Sequence, residues 1–466
     1  MTLGDERVGC RTAELFPQRV TTYWRGPRYL WWPGMIALIL YAFFGILYSD
    51  LGSPSGTVTA VLGLVAVLVY GTGLRSSAPL WLLLAAVLVQ LLSWQLGVLH
   101  HPQFMEDTPK LDRLAKLFIF VAIAWWLGGS SRNTLMVWSL ALMGYLIAAF
   151  THGGGIQEWL SGLQGQRVGF GIRNLQHGSM LFGVAFLGLV VFARRLWKPG
   201  CPRLVWPGRA VWSLAILLCG TGIVIGQTRA VWLALIISLP VAAAIWLAVS
   251  ARSGELARMV RPLLMTSGAM LVVVALGLYV FHDLLVERVL NESGVIARLL
   301  DGDLANIPYT SIGIRINSWI AAFQWILERP IVGWGGDART IIIDHTPWLP
   351  AFVKEQFGHL HNFLIEIWAA YGVLGVAVIG LLAYWIGRGT WLAWRYGAMP
   401  GDIALFGAAF FVYWVVVNQF ESYNSFGTGV YVHNLVVGGL VTHIWAWQAQ
   451  ARNGVILFRF GSRGHE

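Results

Sequence analysis

Two imidazoles, an amide and a carboxylate fall close together in the run Gly358-His359-Leu360-His361-Asn362-Phe363-Leu364-Ile365-Glu366. The run lies where a polar interval beginning at Asp283 gives way to an apolar stretch over 361–387. Ionisable groups at the edge of a bilayer are costly to keep there and by default mark a functional site. In the first turn of a helix over 361–387, His361 would be held neutral by the positive helix end. A neutral imidazole at such a boundary is a competent general base. Asn362 and Glu366, four apart, share a face that points into protein or a cavity. The competing reading is a histidine that caps or hydrogen-bonds a loop, and it weighs more on His359 than on His361.

Arginines form the second set. Arg229 sits in Gly226-Gln227-Thr228-Arg229-Ala230-Val231-Trp232, Arg173 in Gly169-Phe170-Gly171-Ile172-Arg173-Asn174, and Arg315 near the start of a helical pattern over 312–328. Guanidinium groups there suit a phosphate or diphosphate, which they grip with paired donors. The bland alternative is snorkelling, or pairing with Glu366 or Asp337. No metal is expected: His359 and His361 are two apart, His345, His177 and His152 are distant in sequence, and four ligands cannot be assembled. No P-loop is present, so no nucleotide cofactor is expected either. Cys10, Cys201 and Cys219 show no paired spacing. His100-His101, with Glu106, Asp107 and Asp112, read as a solvated loop.

The elements that hold these residues are apolar. Of 466 residues 57% are hydrophobic and 12% charged, with 25 Trp, against about a quarter charged in soluble domains. The fold class expected is an all-α polytopic membrane protein. Stretches long enough to span fall at 32–49, 56–73, 79–99, 112–128, 133–150, 178–194, 209–226, 229–250, 262–282, 361–387, 402–419 and 426–447, about twelve transmembrane helices. With the N-terminus inside, the inner segments collect most of the 32 basic residues. Their acidic residues are Asp5, Glu6, Glu14, Glu255, Asp402 and Glu466 alone, as the positive-inside rule asks. That bias accounts for the net charge of +10 without a nucleic-acid partner. The charged N-terminal stretch reads as an uncleaved cytoplasmic tail. The division is then 1–282, nine helices; 283–360, a long outer loop; and 361–466, three helices and a tail. Within the loop Ile316, Trp319, Ile320, Phe323, Ile326 and Leu327 recur at helical spacing, an amphipathic helix able to lie in the interface.

The chain resembles the O-antigen ligase and polymerase superfamily of bacterial envelope glycosyltransferases. Gln227-Thr228-Arg229-Ala230-Val231-Trp232 is similar to its Ser/Thr-Arg-x-x-Trp element. Arg315 through Gly336, with Glu328-Arg329-Pro330 and Gly333-Trp334-Gly335, is similar to its Arg…Pro…GxG element. His359-Leu360-His361-Asn362, followed by Tyr371-Gly372-Val373-Leu374-Gly375, is similar to its HxHN…GxxG element. The likeness covers roughly 165–445. It implies an inner-membrane enzyme with cytoplasmic termini and a periplasmic active site, moving a glycan from undecaprenyl diphosphate to lipid A–core. By the same resemblance Arg229 and Arg315 hold the diphosphate and His361 deprotonates the acceptor hydroxyl, with His359 the alternative base. Arg173, Asn174, Gln227, Asn362 and Glu366 are the remaining substrate-binding candidates, and membrane lipids surround the whole. Polymerase and protein O-oligosaccharyltransferase activities share these motifs. An anionic-lipid transporter would use the same arginines without chemistry.

Overall fold

The computed structural model describes Trp24 and residues 26–197, 205–252, 293–295 and 297–452. The expected span 262–282, Cys10 and Cys201 lie outside these residues. Among the described residues the fold is helical throughout, with no strand. Helices α1 (Arg28–Leu47) and α2 (Ser49–Tyr70) are joined by Tyr48 alone, in extended backbone. The second helix therefore begins well before its expected start at residue 56. Gly52 permits this, because a Cβ there would lie 2.6 Å from the Phe44 carbonyl oxygen.

α3 (Ala78–His100) follows, and then comes a departure from expectation. Residues 112–128 are not one span. They form a turn at Asp112–Ala115, a 3-10 turn at Lys116–Phe118, and a short α4 (Phe120–Leu127) whose eight residues are all buried. Irregular backbone at membrane depth survives only where protein satisfies it. Here α15 (Gly427–Arg452) supplies the partners. Asn434 Oδ1 accepts from the Phe120 N–H at 2.7 Å, and its Nδ2 donates to the Lys116 carbonyl at 2.9 Å. Thr442 Oγ1 donates to the Ala124 carbonyl and accepts from the Gly129 N–H.

The chain continues through α5 (Ser131–Thr151), α6 (Ile156–Leu163), α7 (Leu175–Val191), α8 (Val205–Ile225) and α9 (Arg229–Arg252). Three further helices, α10 (Ser311–Glu328), α11 (Ala338–His345) and α12 (Ala351–Gln356), precede α13 (Phe363–Arg395) and α14 (Gly401–Val417). Among the described residues seven helices (α1, α2, α3, α5, α8, α9 and α13) are long and apolar enough to cross a membrane, while α7 and α14 are shorter apolar helices. Arg195 pairs with Asp402 at 2.8 Å, and His152 Nε2 lies 2.8 Å from the Leu47 carbonyl. α10 buries its small face, Gly313, Asn317, Ser318, Ala321 and Ala322, against the protein. Phe323 and Leu327 stay exposed, the stripe that a lipid interface would cover.

α13 is broken at Gly372, which adopts φ 61°, ψ −161°. The break frees backbone groups, and the Pro330–Gly335 loop takes them. The Val373 N–H donates to the Pro330 carbonyl at 2.8 Å, and the Trp334 and Gly335 N–H groups donate to Ala369 and Ala370 at 2.9 and 2.8 Å. Ser93 of α3 joins, donating to the Ala370 carbonyl at 3.0 Å. A Cβ on Gly372 would sit 2.1 Å from Ile331 backbone, and one on Gly333 2.4 Å from Ala370. The Gly-Trp-Gly and Tyr-Gly-Val-Leu-Gly runs of the sequence are therefore one interlocked structure.

Candidate active site

The two histidines hang on the loop before α13. Asn362 is the cap of that helix: its Oδ1 accepts from the Ile365 N–H at 3.1 Å, and its Nδ2 donates to Gln419. His361 thus precedes the helix rather than filling its first turn, a correction to the spacing argument. The loop is clamped from both sides. Trp319 Nε1 of α10 donates to the Leu360 carbonyl at 2.7 Å, and Glu366 Oε1 accepts from the Leu360 N–H at 3.1 Å. Glu366 Oε2 accepts from Ser425 Oγ at 2.7 Å.

Non-glycine residues with positive φ among those described are Phe170, Arg173, Gln227 and His361. Such conformations cost about 1–3 kcal/mol each and persist where surrounding contacts over-determine them. Three of the four were singled out from the sequence as functional.

The partner of the histidines is Glu421, fully buried in the turn between α14 and α15. Its Oε2 lies 3.0 Å from His361 Nδ1 and its Oε1 2.9 Å from His359 Nε2. The first contact has hydrogen-bond geometry. The second is within ion-pair distance, yet His359 Nε2 makes no well-directed hydrogen bond. An Nδ1–H held by a carboxylate leaves His361 Nε2 as the ring nitrogen with a free lone pair. Burial holds the His361 pKa below the ordinary value, Glu421 pulls it back up, and the neighbouring His359 and Arg315 push it down. Burial pushes the Glu421 carboxyl up, but the two histidines more than offset this and keep it well below the usual carboxylate range. The pair is therefore a carboxylate and a neutral imidazole near neutral pH.

His359, His361 and Glu421 also bring three potential ligand atoms within 4.8 Å of one another. The carboxylate grouped with the histidines from the sequence was Glu366; the one that meets them in the fold is Glu421, 60 residues on from His361. The donor set would suit zinc with an open fourth position.

Two of the arginines picked out from the sequence, Arg315 and Arg173, lie near this centre. Arg315, in the first turns of α10, is close enough to act electrostatically on both His361 and the Tyr423 phenol. Arg173 lies over the Phe426 ring at 4.3 Å, and the His359 and His177 rings meet the same ring at 5.3 Å. Gln227, buried at the α8–α9 bend, donates to the Gly165 carbonyl at 2.8 Å. Arg229 follows it, exposed at the start of α9. Arg167 was not picked out from the sequence; it reaches the Gly226 carbonyl at 3.4 Å and also acts on Tyr423, linking that bend to the histidine centre. Asn174 caps α7 by accepting from the Gln176 and His177 N–H groups. Glu366 and Asp337 have other cationic neighbours: Arg339 at 3.7 Å from Glu366, and Lys110 at 2.8 Å from Asp337. His101 packs on Trp334 at 4.8 Å, so its loop is docked rather than freely solvated.

Residues 214–380 match the family model described as O-antigen ligase. No curated protein matches the chain. The matched segment contains Arg229, Arg315, His359 and His361 but ends before Glu421, so that partner comes to light only through the fold.

Proposed function

We propose that this member of the O-antigen ligase superfamily is an inverting glycosyltransferase that moves a glycan from undecaprenyl diphosphate to a sugar hydroxyl of lipid A–core. The observation that carries the reading is the His361–Glu421 pair, a buried imidazole oriented by a carboxylate with an arginine beside it. In the proposed step His361 Nε2 takes the proton of the acceptor hydroxyl. The freed oxygen attacks the anomeric carbon, the bond to the diphosphate oxygen breaks, and undecaprenyl diphosphate departs with the electron pair. Glu421 stabilises the imidazolium formed at His361. Arg229, Arg315, Arg173 and Gln227 bind the diphosphate and offset the charge gathering on it, which is the electrostatic part of catalysis. A polyprenyl diphosphate is its own activated donor, so the chemistry draws on no nucleotide. The face carrying the site would be periplasmic, as the charge bias of the loops suggests.

The test uses purified protein, a polyprenyl-diphosphate glycan and rough lipopolysaccharide, without added metal or nucleotide. Transfer by the wild type, lost in both His361→Ala and Arg229→Ala while each keeps its elution volume and melting temperature, is the expected result. Lengthening of the donor glycan instead would mean a polymerase. An absence of any transfer, with the donor crossing vesicle membranes, would replace the enzyme by a transporter. The three-donor cluster gives a metal reading its own arm: loss of transfer on chelation, restored by zinc, would make His359, His361 and Glu421 ligands rather than a base and its partners.

A further inference from the structure

A small pocket lies beside the histidine centre. It is partly open to solvent, holds about 30 Å³, and is bounded by Arg113, Arg339, Phe363, Glu366, Tyr371 and Ser425. Arg113 comes from the turn after α3, Arg339 from α11, Glu366 from α13 and Ser425 from the turn before α15, so four separate segments converge on it. Lys116 stands at its edge, with Nζ 3.4 Å from the Ser425 carbonyl.

The cations here are incompletely matched. Both oxygens of Glu366 are already taken, by the Leu360 N–H and by Ser425 Oγ. Arg339 Nη1 approaches Glu366 Oε2 only to 3.7 Å and is buried with no hydrogen-bond partner. Arg113 reaches Asp337 only at 3.7 Å, and that carboxylate already accepts from Lys110 at 2.8 Å. A buried guanidinium nitrogen without a hydrogen bond carries its desolvation cost uncompensated. An entering oxyanion would satisfy it, and a planar fork suits phosphate or carboxylate oxygens. The cavity also adjoins the histidine loop. Arg339 lies 5.7 Å from the centre of the Phe426 ring, whose other neighbours include Arg173 and His359.

We propose that this cavity is an anion subsite that takes a phosphate group carried by the acceptor saccharide whose hydroxyl His361 activates. The inference rests on the transferase reading and narrows it: the acceptor is an anionic saccharide, held by Arg339 with Arg113 and Lys116, while the donor diphosphate goes to the other arginines.

The experiment measures binding and turnover separately. Binding of a phosphorylated core oligosaccharide and of its phosphatase-treated form is measured on the His361→Ala protein, so the result stands whether or not the transfer chemistry is right. The phosphorylated form binds about tenfold or more tightly, the scale of a charge-assisted contact, and Arg339→Gln erases the difference while Arg339→Lys keeps part of it. In turnover, Arg339→Gln raises KM for the phosphorylated acceptor and leaves KM for the donor unchanged. Equal affinity for the two oligosaccharides would overturn the proposal, and so would an effect of Arg339→Gln that falls on the donor KM. If Arg339→Gln does not fold, Arg113→Gln puts the same question with the same two outcomes.

Discussion

Replacing Glu421 by Gln keeps the volume of a fully buried side chain and removes its charge. The two histidine nitrogens at 2.9 and 3.0 Å then face a neutral amide in a place where no solvent can screen the change. A hydrogen bond to a charged group is worth about 1.5–3 kcal/mol. The charged form of His361 exists only after it has taken the acceptor proton, so that loss falls on the transition state. At about 1.4 kcal/mol per decade, kcat drops by about tenfold to a hundredfold. KM for donor and acceptor should hold, because the carboxylate touches neither in the proposed step. The pH profile adds a second readout. His361 must be neutral to act, so activity falls as pH drops through its pKa. Glu421 raises that pKa against burial, and removing it moves the acid limb to lower pH even as the plateau falls. The assay is transfer of a labelled glycan over a pH series, with Glu421→Asp as the variant that restores charge. A plateau within twofold of wild type, or a limb displaced to higher pH, would refute the assignment of Glu421 as the group that positions His361.

Gly372→Ala should abolish accumulation of folded protein, since the new methyl meets Ile331 backbone at 2.1 Å and the position holds φ 61°; folded yield after detergent extraction reads this directly. Asn434→Ala strands the Phe120 N–H and the Lys116 carbonyl, each costing about 1–3 kcal/mol when buried unpaired. A lowered melting temperature with unchanged KM is the expected outcome, and an unchanged melting temperature would mean that those groups find other partners.

Much of this architecture could be read from residue order. Long apolar runs become helices because nothing else satisfies backbone groups in lipid, and α1, α3, α5, α8, α9 and α13 lie close to their expected positions. Helix α10 was visible in its periodicity and falls at Ser311–Glu328. The broken segment 112–128 was not, because its composition is as apolar as a span. Its irregular backbone depends on Asn434 and Thr442, more than three hundred residues later. The same distance effect hid the site's central carboxylate. His359, His361, Arg173, Arg229 and Arg315 announce themselves by type and neighbourhood. Glu421 is a single acid in a short turn, 60 residues from His361, and only the packing of α13 against α14 shows what it serves. Arg167 and Arg339 were likewise invisible: an arginine in a polar loop carries no local sign of where its guanidinium ends.

The seam at Gly372 bears on how such chains can be recombined. Pro330–Gly335 and Ala369–Leu374 are held together by main-chain bonds, and two glycines keep the two segments of that seam within touching distance. Gly333 and Gly372 leave no room for a side chain there, and the backbone course along the seam matters a great deal. A graft that carries α10–α12 of one homologue onto the apolar helices of another would therefore join badly if its cut fell between residues 335 and 369. Cuts placed before α10 and after Gly375 would transplant α10–α12, the His359–His361 loop and the break in α13 as one cassette. Glu421 would then have to be supplied by the recipient, making the hybrid's activity a report on whether its turn before the last helix presents a carboxylate at the same height.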